Sequence, residues 1–149
     1  MNKHYTGLMA MYKNAPVNEV IGLPKMQITE GQCTMDLSYP ASFFHAAGSL
    51  HGAFYFRLLD DCAYFAAASL ETSLFLYTTS FETKLLRPVG TELLHCEAKA
   101  KRLSDGVIEA TAELFSEGKL AALGKGRFRA GKKKLVDIPN YTHEQSHLS

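Results

Sequence analysis

The sequence predicts an α+β domain in which a curved antiparallel sheet wraps one long, buried helix. The helix is expected over residues 51–70, which are apolar on almost every side, as is typical of a buried helix. Two strand-like segments precede it and four follow it, and turn sequences separate most of them. Because a helix without a polar face must be covered all round, we expect the sheet to curve around it.

The remaining elements follow from hydrophobic periodicity and from turn residues. Residues 5–13 form an amphipathic pattern that predicts a short helix, ended by Asn14-Ala15-Pro16. Strands are predicted at residues 25–29, 32–39, 74–86, 92–102, 107–116 and 119–128. The separators of the last four strands are read as hairpin signals and predict a four-strand meander: Pro88-Val89-Gly90, Ser104-Asp105-Gly106 and Glu117-Gly118.

Both ends of the chain are predicted to lie outside this core. Residues 1–24 are interpreted as an N-terminal helix and linker, and residues 131–149, which are polar, as a solvated or loosely docked tail. The length of 149 residues predicts a single domain over residues 1–149.

Composition excludes several function classes. The net charge is +1, so no overall field favours a nucleic acid or a membrane surface. The three cysteines contain no CxxC pair, which argues against a zinc site and a disulfide scaffold. No signal-peptide pattern is visible, and no stretch reaches the ~18 apolar residues of a membrane span. We therefore expect a soluble, cytoplasmic protein with no metal ion and no nucleic-acid or membrane partner.

Two adjacent acids, Asp60 and Asp61, lie near the middle of the apolar helix, although acids are almost never fully buried unless paired or functional. Asp61 follows Arg57 by one turn, which favours an ion pair between them. Asp60 lies on another side, where the small residues Ala63 and Ala67 predict a recess at its carboxylate. Partial desolvation would raise its pKa and its basicity. The alternative is an acid satisfied by backbone or subunit contacts.

The start of the helix is a second candidate site. Ser49 is expected to cap it, and the backbone N–H of Gly52 is a candidate oxyanion hole at the positive end of the helix dipole. Alternatively, the glycine only permits a tight turn. His51 and Asp60 are nine residues apart, which places them on opposite faces and roughly 13 Å apart along the axis. If both act in one site, they come from two subunits of a dimer.

The run Ala47-Gly-Ser-Leu-His51-Gly52, followed by Asp60 nine residues after His51, resembles the signature of hotdog-fold acyl-CoA thioesterases. The resemblance is to the PaaI-like and 4-hydroxybenzoyl-CoA thioesterase-like enzymes, and it spans about residues 25–129. Two later segments resemble the same family: Phe81–Gly90, with its Arg-Pro, and the final hairpin Ala112–Gly126.

The resemblance implies a hotdog fold that forms homodimers and often homotetramers, and it implies catalytic roles. Asp60 would act as the nucleophile or as a general base on water, and the Gly52 N–H of the other subunit would polarise the thioester carbonyl. His51 would shape the site. His45 occupies a position where relatives often have an Asn, and Thr78 one where a hydroxyl residue orients water.

The resemblance also implies the substrate contacts. The acyl chain would lie in an apolar channel beside the helix, lined by Phe54, Phe56 and Tyr64, and Arg87 is among the cations that could hold the phosphates of coenzyme A. Ala53 replaces the second glycine of the His-Gly-Gly pattern and narrows the recess. No cofactor is implied beyond the coenzyme A of the substrate.

The implied function is hydrolysis of an acyl-CoA to a free acid and coenzyme A. Two alternatives remain open. One is a non-catalytic acyl-CoA-binding hotdog protein that acts as a sensor, and the other is a hydroxyacyl-thioester dehydratase.

Overall fold

The computed structural model describes residues 2–104 and 106–142. Within these residues the α-helices are α1 (Lys3–Lys13), α2 (Val17–Ile21) and α3 (Gly52–Ala68). The strands are β1 (Lys25–Thr29), β2 (Gln32–Leu37), β3 (Leu74–Leu85), β4 (Leu94–Ser104), β5 (Val107–Ser116) and β6 (Lys119–Lys134). None of these helices is long and apolar enough to cross a membrane.

The strands form one antiparallel sheet in the order β1-β2-β4-β5-β6-β3, which confirms the predicted α+β class. The predicted meander is correct only for β4, β5 and β6, because β3 pairs with β6 at the edge of the sheet. Pro88-Val89-Gly90 is therefore not a hairpin turn. It lies in a crossover in which Val89 is buried and accepts a backbone hydrogen bond from Leu50.

The sheet wraps α3, which packs against β2 through β6. Leu58, Leu59 and Cys62 are fully buried, and the alanines of the same helix permit a close approach to the sheet. Phe81 of β3 fills the space over Gly126 of β6, where an added Cβ would lie 2.5 Å from Phe81 Cδ2. A residue with no side chain is thus required for the aromatic ring to fit between the sheet and the helix.

The described parts of both chain ends contain more regular structure than the sequence predicts. Pro16, interpreted as a helix terminator, is also the N-cap residue of the short helix α2, which lies within the predicted linker. The predicted start of the tail at residue 131 is too early. Strand β6 continues to Lys134, because backbone pairing with β3 does not depend on the polarity of the lysine side chains. Leu135 is then buried, and residues 143–149 of the predicted tail lie outside the described residues.

We expect Gly126→Ala to destabilise the protein by about 1–3 kcal/mol, the usual cost of overpacking a filled core. The cause is the contact between the new Cβ and Phe81, so Phe81→Leu should reduce the loss. Urea unfolding of both single variants and the double variant measures the coupling. Equal losses in the presence and absence of the Phe81 ring would contradict the proposed contact.

Candidate active site

The guanidinium of Arg57 organises the acidic part of α3. Arg57 is buried, and its Nε donates a hydrogen bond to Asp61 Oδ2 at 3.0 Å, which confirms the predicted ion pair. Tyr12 of α1 donates to the same carboxylate oxygen at 2.7 Å. The other acceptors of the guanidinium are the side-chain oxygens of Tyr12, Tyr39 and Asn18 and the carbonyls of Ile21 and Gly22. Asp61 is therefore committed to holding the N-terminal segment on α3.

Asp60 is in a different environment. It is partly buried, and Thr78 Oγ1 donates a hydrogen bond to its Oδ1 at 3.0 Å. No cation of the described residues forms a salt bridge with it. Burial, assisted by the negative charge of Asp61, raises the pKa of Asp60 to about 6, while the Thr78 hydrogen bond opposes the rise. The sequence prediction of a raised pKa is confirmed.

Thr78 reaches Asp60 next to a bulge in β3. Thr78 pairs with Phe128 of β6, whereas Ser80 pairs with the preceding residue of β6, Arg127, so Thr79 is an extra residue in β3. The hydroxyl of Thr79 donates to the carbonyl of Arg127 at 3.1 Å. A bulge shifts the alternation of side chains. As a result Thr78 and Phe81, three residues apart, both face α3, which sequence periodicity did not reveal.

A largely apolar cavity of about 520 Å³ lies beside Asp60 and Thr78. Its walls come from α3 and β3 and from both ends of the chain: Met11, Tyr12, Asn14–Val17, Asp60, Asp61, Tyr64, Phe65, Phe75–Thr78 and Ile138–Asn140. The predicted recess is present, but Ala63 and Ala67 are fully buried in the core and do not form it. Aromatic residues line the recess instead. The sequence reading missed the contributions from the two chain ends.

Tyr64 is one of the three aromatic residues predicted to contact substrate, and it lines this cavity. Its hydroxyl donates a hydrogen bond to the carbonyl of Leu76. Phe54 lies elsewhere, stacked on Phe43 with a ring-centroid distance of 4.6 Å. Phe56 packs edge-on against Phe81 and remains 42% exposed. Within a single chain these two rings therefore do not contribute to the cavity.

The start of α3 forms a second, smaller cavity of about 270 Å³. It brings together three of the predicted site residues, His45, Gly52 and Arg87, and it does not include Asp60. The N–H of Gly52 donates to no acceptor within residues 2–104 and 106–142, so it can polarise a ligand oxygen. Asp60, Thr78 and Tyr64 thus line one cavity, and His45, Gly52 and Arg87 line another.

The two histidines are held by local hydrogen bonds. His51, rather than the predicted Ser49, caps α3, because His51 Nδ1 accepts the Ala53 N–H at 3.0 Å. The Ser49 hydroxyl is instead 2.8 Å from His45 Nε2, and His45 Nδ1 accepts a backbone N–H. Both imidazoles therefore shape the backbone around Gly52.

Strand β3 leaves one edge of the sheet unpaired within the described residues. Four large apolar residues on or beside this edge are at least 42% exposed: Phe56, Tyr77, Leu85 and Leu86. A long strand with an open hydrogen-bonding edge and exposed apolar side chains is a template for association with another chain.

No grouping of three or more His, Cys, Asp or Glu side chains suitable for a metal ion occurs in the described part of the chain. The polar groups at the two cavities are carboxylates, hydroxyls, an imidazole, a guanidinium and the Gly52 N–H. Such groups can transfer protons and stabilise an oxyanion.

Comparisons with known proteins show the family to which the chain belongs. Residues 47–122 match the family model of the thioesterase superfamily. The E. coli PaaI protein from the phenylacetic acid degradation operon superimposes with a TM-score of 0.79 at 21% identity, over 89% of this chain and 96% of its own. No curated protein sequence matches significantly.

Two further solved structures share the fold. A thioesterase family protein from Silicibacter pomeroyi gives a TM-score of 0.76 at 22% identity, covering 85% of this chain and 97% of its own. A putative thioesterase from Ralstonia eutropha JMP134, described as phenylacetic acid degradation-related, gives 0.73 at 22% identity, with coverages of 85% and 99%. These likenesses concern the fold, and the family model covers more than half of the sequence. The chain therefore belongs to the thioesterase superfamily and has the hotdog fold.

Proposed function

We propose that the protein is an acyl-CoA thioesterase whose active sites are shared between the two subunits of a homodimer. The observation that carries this proposal is Asp60, a partly buried carboxylate without a cationic partner in the described residues, beside an apolar cavity and the Thr78 hydroxyl. A pKa of about 6 lets Asp60 be ionised at neutral pH and still accept a proton efficiently. Membership of the thioesterase superfamily supports thioester hydrolysis as the general reaction.

In the proposed reaction the acyl group occupies the cavity and the thioester carbonyl lies at Asp60. As a general base, Asp60 takes a proton from water held with Thr78 while the water oxygen bonds to the carbonyl carbon. The tetrahedral oxyanion then collapses, the carbon–sulfur bond breaks, and coenzyme A leaves as a thiolate. As a nucleophile, Asp60 would form a mixed anhydride that water then hydrolyses. Both routes require the ionised carboxylate and a donor for the oxyanion.

The proposed donor is the Gly52 N–H of the partner subunit. Within one chain Asp60 and Gly52 line different cavities, so a single subunit does not bring them together. The geometry of β3 supports the pairing of subunits. If two β3 strands associate antiparallel about a twofold axis near Phe81 and Glu82, Thr78 lies opposite Leu85 of the partner subunit. Leu85 lines the Gly52 cavity, so this pairing would bring the Gly52 cavity of one subunit beside the Asp60 cavity of the other.

Arg87 and the two histidines take supporting roles in this proposal. Arg87 lies in the Gly52 cavity, where its positive charge would attract the phosphates of coenzyme A. His45 and His51 fix the backbone that presents Gly52. A homotetramer built from two dimers, a cytoplasmic location and the absence of a cofactor are parts of the same proposal.

We expect Asp60→Asn to lower the kcat of thiol release from a panel of acyl-CoA esters on the order of 10²–10⁴-fold, because the amide cannot accept the proton. Asp36→Asn is the matched control and should retain activity, because Asp36 of β2 is partly exposed and lines neither cavity. Size-exclusion chromatography checks that both variants keep the wild-type assembly.

Tight binding of acyl-CoA by the wild type with no thiol release would favour the sensor, and hydration of an enoyl-CoA without thiol release would favour the dehydratase.

The activity should decrease as the pH falls through about 6, because protonation of Asp60 removes the base or nucleophile. Thr78→Val deletes the hydrogen bond that lowers the pKa of Asp60, so the acidic limb of kcat/KM should move to higher pH. Thr78→Ser retains the hydroxyl and should leave the limb near its wild-type position. A pH–rate profile of the three proteins measures these shifts, and an acidic limb that is identical in Thr78→Val would refute this role for the hydroxyl.

Mixed dimers test whether the site is shared. Gly52→Pro removes the N–H at the first position of α3, where proline is well tolerated and His51 already has extended backbone angles. Gly52→Ala keeps the N–H and makes the same contact with Leu85, 3.1 Å from the added Cβ, so it is the matched control. Gly52→Pro and Asp60→Asn homodimers should both be inactive.

A purified heterodimer of Gly52→Pro and Asp60→Asn chains should recover about half of the wild-type activity, because one of its two sites then contains both intact groups. Differently tagged, co-expressed chains allow this species to be isolated and assayed for thiol release. An inactive heterodimer, with Gly52→Ala active, would mean that both groups act within one chain.

A further inference from the structure

Much of the wall of the cavity beside Asp60 comes from residues outside the segment that matches the family model. That model covers residues 47–122, whereas residues 11–12, 14–17 and 138–140 also line the cavity. We name residues 135–142 the C-terminal strap. It begins at Leu135, which is 2% exposed and donates its N–H to the carbonyl of Ser73 before β3. Ile138 then packs against the core and lines the cavity.

The strap is held against α1 by Tyr141. The Tyr141 hydroxyl lies 2.6 Å from His4 Nδ1, and His4 Nε2 lies 2.7 Å from the carbonyl of Ala68 at the end of α3. His4 therefore links the strap to the helix that carries Asp60. An added Cβ on Gly7 would lie 2.7 Å from the carbonyl oxygen of Tyr141 and 2.8 Å from its ring carbons. The contact between α1 and the strap thus requires a residue without a side chain.

The strap borders the cavity that the acyl group would occupy in the proposed reaction. The proposed reaction places the thioester carbonyl at Asp60, so the rest of the acyl group would occupy the remainder of the cavity, whose wall includes Ile138. The strap is tied at both of its ends, through Leu135 and through Tyr141, so it presents Ile138 in a fixed place. Apolar contacts at such a wall discriminate between acyl groups that differ by a few methylenes.

Building on the proposed thioesterase function, we infer that the C-terminal strap limits the size of the acyl group. Ile138 is the specificity-determining residue, and the contact of Tyr141 with Gly7 and His4 positions it. Shortening Ile138 or displacing the strap should therefore enlarge the cavity and favour longer acyl chains, without any change to Asp60 or Thr78.

Ile138→Ala and Gly7→Ala test this inference from two directions. The first removes the apolar wall, and the second places a methyl group where the Tyr141 backbone now lies. The ratio of kcat/KM for hexadecanoyl-CoA to that for hexanoyl-CoA should rise about tenfold in each variant. Val136→Ala is the matched control, because Val136 belongs to the same strap, is 60% exposed and does not line the cavity.

Binding gives a readout that does not depend on turnover. Calorimetry with the non-hydrolysable thioethers hexadecyl-CoA and hexyl-CoA should show the same shift in affinity ratio as the kinetics. If the wild type releases no thiol but the affinity ratio shifts in Ile138→Ala, the proposed hydrolysis is wrong and the role of the strap holds. Unchanged ratios in Ile138→Ala overturn the inference, even where Gly7→Ala fails to fold, and so does a Val136→Ala variant with an equal shift.

Discussion

The buried guanidinium of Arg57 is the interaction on which the rest of this structure depends. A buried charge is tolerated only when it is paired and its hydrogen bonds are satisfied. Arg57 meets this requirement with Asp61 of its own helix, with Tyr12 of α1 and with oxygens of the α2 region. One side chain thereby fixes the N-terminal segment against α3, and that segment supplies one wall of the cavity beside Asp60.

The same interaction gives two neighbouring acids different environments. Asp61 accepts hydrogen bonds from Arg57 and Tyr12 and is committed to structure. Asp60 has only the Thr78 hydroxyl as its hydrogen-bonding partner among the described side chains, and the negative charge of Asp61 lies beside it. Burial and this charge both disfavour ionisation, so the pKa of Asp60 rises towards neutral pH. The Arg57 network thus adds, through the charge of Asp61, to the effect of burial on the pKa of Asp60.

Sequence reasoning predicted the features that local patterns determine. The buried helix, the turn at Glu117-Gly118 and the ion pair of Asp61 with Arg57 follow from spacing within a few residues. The pairing of β3 with β6 did not, because it joins segments more than forty residues apart along much of their length and no local signal encodes the choice of partner. The end of β6 and the docked C-terminal strap were also missed. Backbone pairing with β3 holds the lysine-rich end of β6, and distant contacts at Ser73, His4 and Gly7 hold the strap.

The bulge at Thr79 explains how one strand can lie against both Asp60 and Gly52. Before the bulge, Thr78 faces α3 and contacts Asp60. In an unbroken strand Leu85, seven residues later, would face the opposite side of the sheet. The extra residue resets the alternation, so that Leu85 also faces α3 and lies at Gly52. A twofold axis near the middle of β3 would then place the Asp60 cavity of one subunit beside the Gly52 cavity of its partner. The irregularity in β3 is therefore a condition of the proposed shared site.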